Sequence, residues 1–338
     1  MKYLLPLLLA AAGCIDTDLS ETGQAATGGG GCPEWGCGMN SPNINGVGFF
    51  HELNMDGLPN LQGLRITSVT NGGQNYALAV VNGAIVLTRK GVTLRGSALR
   101  NTEILVTGPK DKYTIYITSI GETETWAKVG ATQKAIETYV FEWVLDGHRV
   151  NLCSTPATTT ETLGMNAYRT VVFEGERIDA TTKTISPALD SRWFNLGCAG
   201  GTLAKLDLTG HTEAMRAQGF STTIPERQAM LKMLSADYCG DGTPLTVGGE
   251  PLRWADDHGT MTYTQAPLPP ALIQLEARWT AGGAFCLNTP RLVAHPASGW
   301  SADRVRDAIA GSCKVPLPRC KQPDAAFADA HLMSANAY

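Results

Sequence analysis

The chain has 338 residues, a hydrophobic fraction of 43% and a formal net charge of −4. This much apolar content excludes a disordered protein, and the length suggests two domains of ordinary size. The weakly acidic balance leaves no basic surface for an extended polyanion, so we expect no nucleic-acid partner. The 37 glycines and 18 prolines, with short runs of Val, Ile and Thr, predict an α+β protein that is mainly β with a few short helices.

The N-terminus has the pattern of an export signal. Residues 1–13 carry the positive charge of Lys2 and then an apolar run that is too short to span a bilayer permanently. The sequence AAGC that follows resembles a lipobox, and we expect Cys14 to carry a lipid that attaches the protein to a membrane. Because Ala11 stands where lipoboxes usually carry Leu, ordinary signal cleavage is the alternative. Ile15, in place of Asp, favours sorting to the outer membrane or cell surface.

Four further segments follow the signal. Residues 14–31 hold the lipid anchor and a polar tether that ends in four glycines, which predicts a flexible linker. Residues 32–152 contain short apolar runs separated by Gly, Asn, Asp and Pro, and we interpret them as an N-terminal β-domain. Residues 153–320 mix strand and helix patterns and predict an α+β domain, which we allow to pack as one unit with the first. Residues 321–338 form an Ala-rich tail, helical or frayed.

Local signals predict individual elements. The Asn-Gly pair at 82–83 and the Asp-Gly pair at 146–147 tolerate positive φ angles between apolar runs, as two-residue hairpins require. Thr223 and Glu226 form a capping box at the start of a helix that we expect to end at the glycines following Cys239. A second short helix is expected to begin at Ser301. The runs ALIQLEARW and AFCLN predict a strand pair.

Aromatic residues invite two interpretations. Tyr139, Phe141 and Trp143 recur with a period of two and should share one face of a strand. Such a stripe is more often core than an aromatic ligand platform, and we expect core. The other tryptophans are so widely spaced that only the fold could assemble them into a carbohydrate-binding cluster: Trp35, Trp126, Trp193, Trp254, Trp279 and Trp300.

The cysteines predict a disulfide framework. Of the nine cysteines, Cys14 is expected to carry the lipid. The other eight are an even number, so all of them can pair in a chain that we expect to be exported. The candidates are Cys32, Cys37, Cys153, Cys198, Cys239, Cys286, Cys313 and Cys320. Closure of short loops favours two pairs, Cys32 with Cys37 and Cys313 with Cys320.

Cys239 is a candidate catalytic nucleophile. It follows a predicted helix, and the negative end of the helix dipole disfavours the thiolate that a nucleophile needs. His211 and His258 are available as partners, but no local signature of a cysteine peptidase surrounds Cys239. We therefore expect a structural disulfide to Cys286 or Cys198.

Acidic residues cluster after Cys239. Asp237, Asp241, Asp256, Asp257 and His258 lie close in sequence around a glycine-rich loop. Oxygen ligands of this kind suit calcium or another metal, but the spacing matches no EF-hand. The favoured interpretation is that Asp237 and Asp241 accept hydrogen bonds from backbone amides in a turn. We expect no catalytic residue, no bound metal and no cofactor.

The segment SADYCGDGT, which contains Ala236, Asp237, Tyr238 and Cys239, resembles the signature of bacterial ADYC-domain lipoproteins. CAGGTLAKL upstream, and AFCLNTPR and CKVPLPRC downstream, are also similar to that family, and the resemblance covers roughly residues 60–320. It implies a place in the cell envelope and no particular activity.

Two functions therefore remain as hypotheses. The favoured one is a lipid-anchored cell-envelope protein that binds an envelope or extracellular partner and is not an enzyme. The alternative is a secreted hydrolase that uses the Asp-rich loop after Cys239 together with His258.

Overall fold

The computed structural model describes residues 40–45, 50–130, 132–145, 147–153, 168–247, 252–257, 274–294, 299–321 and 330–336. This part of the chain is mainly β with a few short helices, so the predicted fold class is confirmed. None of its helices is long and apolar enough to cross a membrane. The predicted signal and tether lie outside the described residues, as do Cys14, Cys32, Cys37 and His258.

The larger sheet has nine strands, which pair antiparallel. In spatial order they are β1 (Glu52–Asn54), β14 (Asp190–Cys198), β11 (Thr170–Gly175), β9 (Ala135–Leu145), β8 (Lys112–Glu124), β7 (Thr102–Thr107), β2 (Arg65–Asn71) and β3 (Gln74–Asn75), with β10 (His148–Asn151) beside β9. The strands β11 and β14 follow residue 153 in the chain, yet they lie between β1 and β9. The sheet therefore continues across the boundary expected between residues 152 and 153.

Two smaller β elements lie beside this sheet. One is a three-stranded sheet of β4 (Ala77–Val81), β5 (Ala84–Arg89) and β6 (Val92–Leu94), and the other is the hairpin of β12 (Ile178–Asp179) and β13 (Thr184–Ile185). Asn82 and Gly83 have φ angles of +53° and +76°, which confirms the predicted hairpin between β4 and β5. A single turn of 3₁₀ helix spans Gly96–Leu99.

The aromatic stripe of β9 belongs to the core of the larger sheet. Tyr139 and Phe141 are fully buried and stack with ring centroids 5.5 Å apart. Trp143 is partly buried and packs edge-on against Phe50 at 5.4 Å. The Tyr139 hydroxyl accepts a hydrogen bond from the backbone N–H of Ile85 and so connects β9 to β5. The stripe belongs to the core, as predicted.

A second sheet has four strands and contains the chain's last described residues. Its spatial order is β15 (Leu252–Asp256), β18 (Leu332–Asn336), β16 (Gln274–Thr280) and β17 (Gly283–Leu287). The predicted strand pair β16–β17 is confirmed, but the expectation of a helical or frayed tail is wrong for residues 332–336, which form β18. Small residues suit β18 because its neighbours carry tryptophans: Ser334 lies opposite Trp254, and its hydroxyl accepts a hydrogen bond from the Trp279 indole at 2.7 Å.

Five helices complete the described structure: α1 (Thr202–Leu208), α2 (Glu213–Ala217), α3 (Ile224–Ser235), α4 (Arg291–Ala294) and α5 (Ala302–Ser312). The capping box of α3 is present, with Thr223 and Glu226 each accepting from the other's backbone N–H. The Ser301 hydroxyl accepts from Arg304 N at 3.2 Å, which confirms the second predicted helix start. Helix α3 is buried from Glu226 to Ser235 and packs at the centre of a core that includes residues of the four-stranded sheet.

Candidate functional site

Ala236 ends helix α3. It adopts the left-handed conformation, with a φ angle of +50°, and its N–H bonds back to the carbonyls of the last turn. The sequence predicted that Gly240 and Gly242 would end the helix, and this is wrong. An alanine pays about 1–2 kcal/mol in this conformation, and its small side chain is fully buried here. The two glycines serve a different purpose in the loop that follows.

Asp237 forms a buried ion pair. Its Oδ2 accepts from the Lys232 ammonium at 2.6 Å and from the backbone N–H of Gly242 at 2.9 Å. Lys232 also donates to the carbonyls of Thr182 and Gly240, at 2.7 and 3.1 Å. The predicted hydrogen bond from a backbone amide to Asp237 is therefore confirmed. The ion pair was not predicted, because nothing in the sequence indicates that Lys232 is buried.

Tyr238 belongs to a buried polar network. Its hydroxyl lies 2.5 Å from Glu276 Oε1. The Glu276 carboxylate also accepts hydrogen bonds from Nε and Nη2 of Arg291 and from the Ser334 hydroxyl. The tyrosine ring stacks on Trp279 with centroids 5.2 Å apart. Burial raises the pKa of Tyr238 well above its usual value, so the hydroxyl stays protonated and donates to Glu276. Its position within the core gives it a structural role.

Cys239 is joined to Cys313. The described cysteines form three disulfides: Cys153–Cys198, Cys239–Cys313 and Cys286–Cys320. The predicted pairing of Cys239 with Cys286 or Cys198 is wrong because the end of helix α5 packs against the loop after α3, where Cys239 Sγ lies 3.6 Å from the carbonyl of Ile309. A thiol engaged in a disulfide is not available as a nucleophile.

The predicted disulfide between Cys313 and Cys320 is also wrong. The segment between them does not close on itself but extends alongside β17, where Leu287 N donates to the carbonyl of Pro318 at 2.9 Å. This places Cys320 beside Cys286 on the strand. Loop length alone favoured the short loop, but the pairing is decided by the hydrogen bonding of the segment to the sheet.

The two glycines after Cys239 permit close approach of other chain segments. Gly240 has a φ angle of +73°, and a Cβ atom there would collide with the carbonyl oxygen of Gly282 in the β16–β17 turn. Gly242, at +93°, would collide in the same way with the carbonyl oxygen of Thr181 in the β12–β13 turn. The loop that follows α3 is thus wedged between two hairpin turns.

A hollow of about 560 Å³, which we call the hairpin groove, lies beside the β12–β13 hairpin. The loop after α3 contributes Gly240 and Asp241 to its wall, and Leu61, which is 71% exposed, also lines it. Asp241 accepts from Thr243 N at 2.9 Å, as predicted. The signature segment therefore reaches the surface at this groove.

Charged side chains line the hairpin groove. Arg177 pairs with Glu52 at 2.5 Å and stacks over the Trp193 ring at 3.9 Å. Asp179 accepts from two backbone N–H groups of the β12–β13 turn, and these hold the pKa of its carboxyl below the usual value. Asp179 therefore adds negative charge to the groove, Asp241 is a second carboxylate in its lining, and the charge of Arg177 is opposed by Glu52.

The structure separates the aspartates that the hydrolase hypothesis groups together. Asp237 is buried in its ion pair, Asp256 is buried in β15, and Asp241 lines the hairpin groove. Because His258 lies outside the described residues, the hypothesis stays a prediction. Of these three aspartates, only Asp241 lines the hairpin groove.

Another buried cluster of charges was not predicted. Arg227 pairs with Glu176 at 2.8 Å and with Glu213 at 2.9 Å. Burial raises the pKa of Glu176 to about 7 and that of Asp207 to about 8, and burial lowers the pKa of Lys205 to about 7. The clustered residues Arg227, Glu176, Glu213 and Asp207 come from α3, the segment after β11, α2 and α1, and Lys205 is a further buried charge of α1. No sequence motif joins them, and they pack these elements together.

The tryptophans form no exposed cluster within the described residues. Four of the predicted candidates are buried: Trp126, Trp193, Trp254 and Trp279. Trp300 is partly covered by Arg304, whose guanidinium lies 3.8 Å from the ring centroid. Trp35 lies outside the described residues.

Comparison with known proteins identifies one family. The model of the ADYC domain matches residues 96–293, which is more than half of the chain and includes the whole signature segment. No curated protein and no solved structure matches the chain.

Proposed function

This chain belongs to the ADYC-domain family, and we propose that it is an exported, lipid-anchored cell-envelope protein that binds a partner and is not an enzyme. In this proposal Cys14 carries the lipid, which attaches the protein to the outer membrane or cell surface. Three disulfides support it, because such bonds persist in oxidising compartments and are rare in the cytosol. The partner is a component of the envelope or of the extracellular medium.

The binding function is supported by which residues of the signature segment are buried and which line the surface groove. Asp237, Tyr238 and Cys239 are engaged inside the molecule, in an ion pair, a hydrogen-bond network and a disulfide. What the same segment presents at the surface is the wall of the hairpin groove, formed by Gly240 and Asp241. A segment that supplies shape and charge at a groove suits recognition.

The groove also indicates the chemistry of the partner. Glu52, Asp179 and Asp241 place three carboxylates around it against the single guanidinium of Arg177, and Leu61 adds an exposed apolar edge. Complementary charge governs the rate and specificity of association. We therefore expect the partner to present cationic groups next to an apolar one.

The hydrolase alternative has no observation in its favour. It required acidic residues of the loop beside His258, but Asp237 is neutralised by Lys232 and Asp256 is buried in a strand. Asp241 alone reaches the groove. We therefore do not propose an enzymatic function.

The lipid anchor can be tested by comparing the full chain with its Cys14→Ser variant in a Gram-negative host fed with labelled palmitate. We expect label and membrane association for the unchanged chain, and neither for the variant. Equal labelling of both chains, or an unlabelled chain in both cases, would exclude the anchor.

Binding at the hairpin groove can be tested by photo-crosslinking in intact cells. A photoreactive residue at Leu61 is compared with one at Val92, which is 48% exposed and lies on β6, outside the groove. We expect a discrete adduct at position 61 that is weakened by the charge reversal Asp241→Lys, and none at 92. Identical adducts at both positions, or an adduct insensitive to Asp241→Lys, would contradict the proposal.

A further inference from the structure

Three potential metal ligands converge where α3, β15 and β18 meet. They are the carboxylates of Glu226 and Asp257 and the imidazole of His331, and one ligand atom from each lies within 4.8 Å of the other two. We propose that these residues hold a divalent transition-metal ion of the Zn²⁺ class. No spacing motif predicts this site, because the three residues lie far apart in the chain.

The β15–β18 ladder positions two of the ligands. Asp256 lies opposite Leu332 in the register, and the pairing continues for one more residue, with Asp257 N donating to the carbonyl of His331 at 3.2 Å. Residues opposite each other in antiparallel strands point to the same face. His331 Nδ1 consequently lies 3.6 Å from Asp257 Oδ2.

The capping box of α3 positions the third ligand. Glu226 is the third residue of the helix, and its Oε2 accepts from Thr223 N. This bond fixes the direction of the carboxylate. Glu226 is buried, whereas Asp257 and His331 are about one-third exposed at their side chains. An ion can therefore enter from solvent and meet an ordered ligand on the inner side.

The donor set selects the class of metal. Zn²⁺ binds imidazole nitrogen and carboxylate oxygen at about 2.0–2.2 Å, so ligand atoms that lie within 4.8 Å of one another need to move inward by less than about 1 Å. Ca²⁺ and Mg²⁺ prefer an all-oxygen shell, whereas imidazole favours zinc and the later transition metals. Three protein ligands leave the fourth tetrahedral position to water.

A bound ion would connect β18 and the end of β15 to helix α3. The three ligands come together only in the folded chain, so metal binding adds to the free energy of unfolding by mass action. The site lies apart from the hairpin groove, none of whose lining residues it uses. It is independent of the proposed binding function.

The test uses the full chain, oxidised and stripped of metal with a chelator. Zn²⁺ is titrated by calorimetry and by competition with a zinc indicator, on the unchanged protein and on the variants Asp257→Asn and His331→Gln. The matched controls are His148→Gln and Asp303→Asn, both at exposed positions outside the cluster. Glu226 is left unchanged because its substitution would also remove the helix cap.

We expect one equivalent of Zn²⁺ to bind to the unchanged protein and to both controls, with affinity at least roughly tenfold lower in each test variant. Zn²⁺ should raise the melting temperature of the unchanged protein and of the controls but not that of His331→Gln. The proposal is overturned if Zn²⁺ does not bind, if the test variants bind it as the controls do, or if Ca²⁺ displaces Zn²⁺ at equal concentration.

Discussion

Lys232 is a cation held inside the protein, and Asp237 is its counter-ion. Their side chains are 2% and 0% exposed, so neither charge is solvated by water. The Lys232 ammonium donates three hydrogen bonds, to Asp237 and to carbonyls of two different loops. A buried pair of this kind adds little net stability compared with apolar residues, but loss of one partner leaves the other charge uncompensated.

The variant Asp237→Asn should therefore destabilise the protein by about 3–5 kcal/mol. The amide keeps the shape of the side chain and removes the charge that stabilises Lys232. The measurement is denaturant unfolding of the oxidised protein. The control is Asp303→Asn, which breaks an exposed pair with Arg306 and should change the free energy of unfolding by less than about 1 kcal/mol. Equal effects of the two substitutions would refute a buried counter-ion role.

At the scale of elements, the loop after α3 is fixed by contact with two turns. Gly240 lies against the β16–β17 turn and Gly242 against the β12–β13 turn, both at distances that exclude a side chain. The backbone of the same loop bonds to β17, where Ala284 N donates to the carbonyl of Tyr238 at 2.9 Å. The loop thus joins helix α3 to the four-stranded sheet and to the hairpin groove.

Substitution of Gly240 by alanine should destabilise the protein substantially more than substitution of Gly91 by alanine. Both glycines have positive φ angles, +73° and +82°, so both alanines carry the conformational cost of about 1–2 kcal/mol. Gly91 has open space around it, whereas a Cβ at Gly240 collides with the backbone of Gly282. We expect Gly240→Ala to lower the melting temperature by several degrees more than Gly91→Ala. A difference within error would show that the turn can move away freely.

Elements governed by local chemistry were predictable from the sequence. The Asn82-Gly83 hairpin and the capping box of Thr223 depend on neighbouring residues alone, and both are present. β18 was not predictable, because its alanine and serine have low strand propensity and fit there only beside the tryptophans of β15 and β16. Intrinsic propensity gave way to packing in the tertiary structure.

At the scale of the whole molecule, the last described segment holds the second sheet together. β15 and β16 make no ladder with each other, and each pairs with β18 between them. The buried tryptophans of both strands pack in the core around α3. β18 thus connects the two halves of this sheet.

Deletion of residues 330–338 should disrupt the second sheet. Without β18, the backbone groups of β15 and β16 lose their partners, and Trp254 and Trp279 lose packing. We expect tryptophan fluorescence to shift to longer wavelength. The melting temperature should fall by more than 10 °C, because the apolar surface that β18 buries contributes several kcal/mol to the free energy of unfolding. Deletion of residues 337–338 alone is the control and should have little effect. A truncated protein with native fluorescence would contradict the central role of β18.

The candidate site was predictable only in part. Asp237 and Asp241 accept backbone amides as expected, because short turns impose such bonds on nearby aspartates. The hairpin groove joins residues from Leu61 to Asp241, and the proposed metal ligands include His331, so both depend on the course of the whole chain. The disulfide pairs were not predictable for the same reason.

The position of β18 in the chain also sets an order for folding. The nine-stranded sheet has all its strands once Cys198 has been added, and the Cys153–Cys198 bond can then close. The second sheet has to wait, because its middle strand follows every other strand of that sheet along the chain. A chain that is synthesised or exported with its N-terminus first can therefore complete the nine-stranded sheet while the four-stranded sheet still lacks β18. During that interval the unpaired edges of β15 and β16 are open to misassociation.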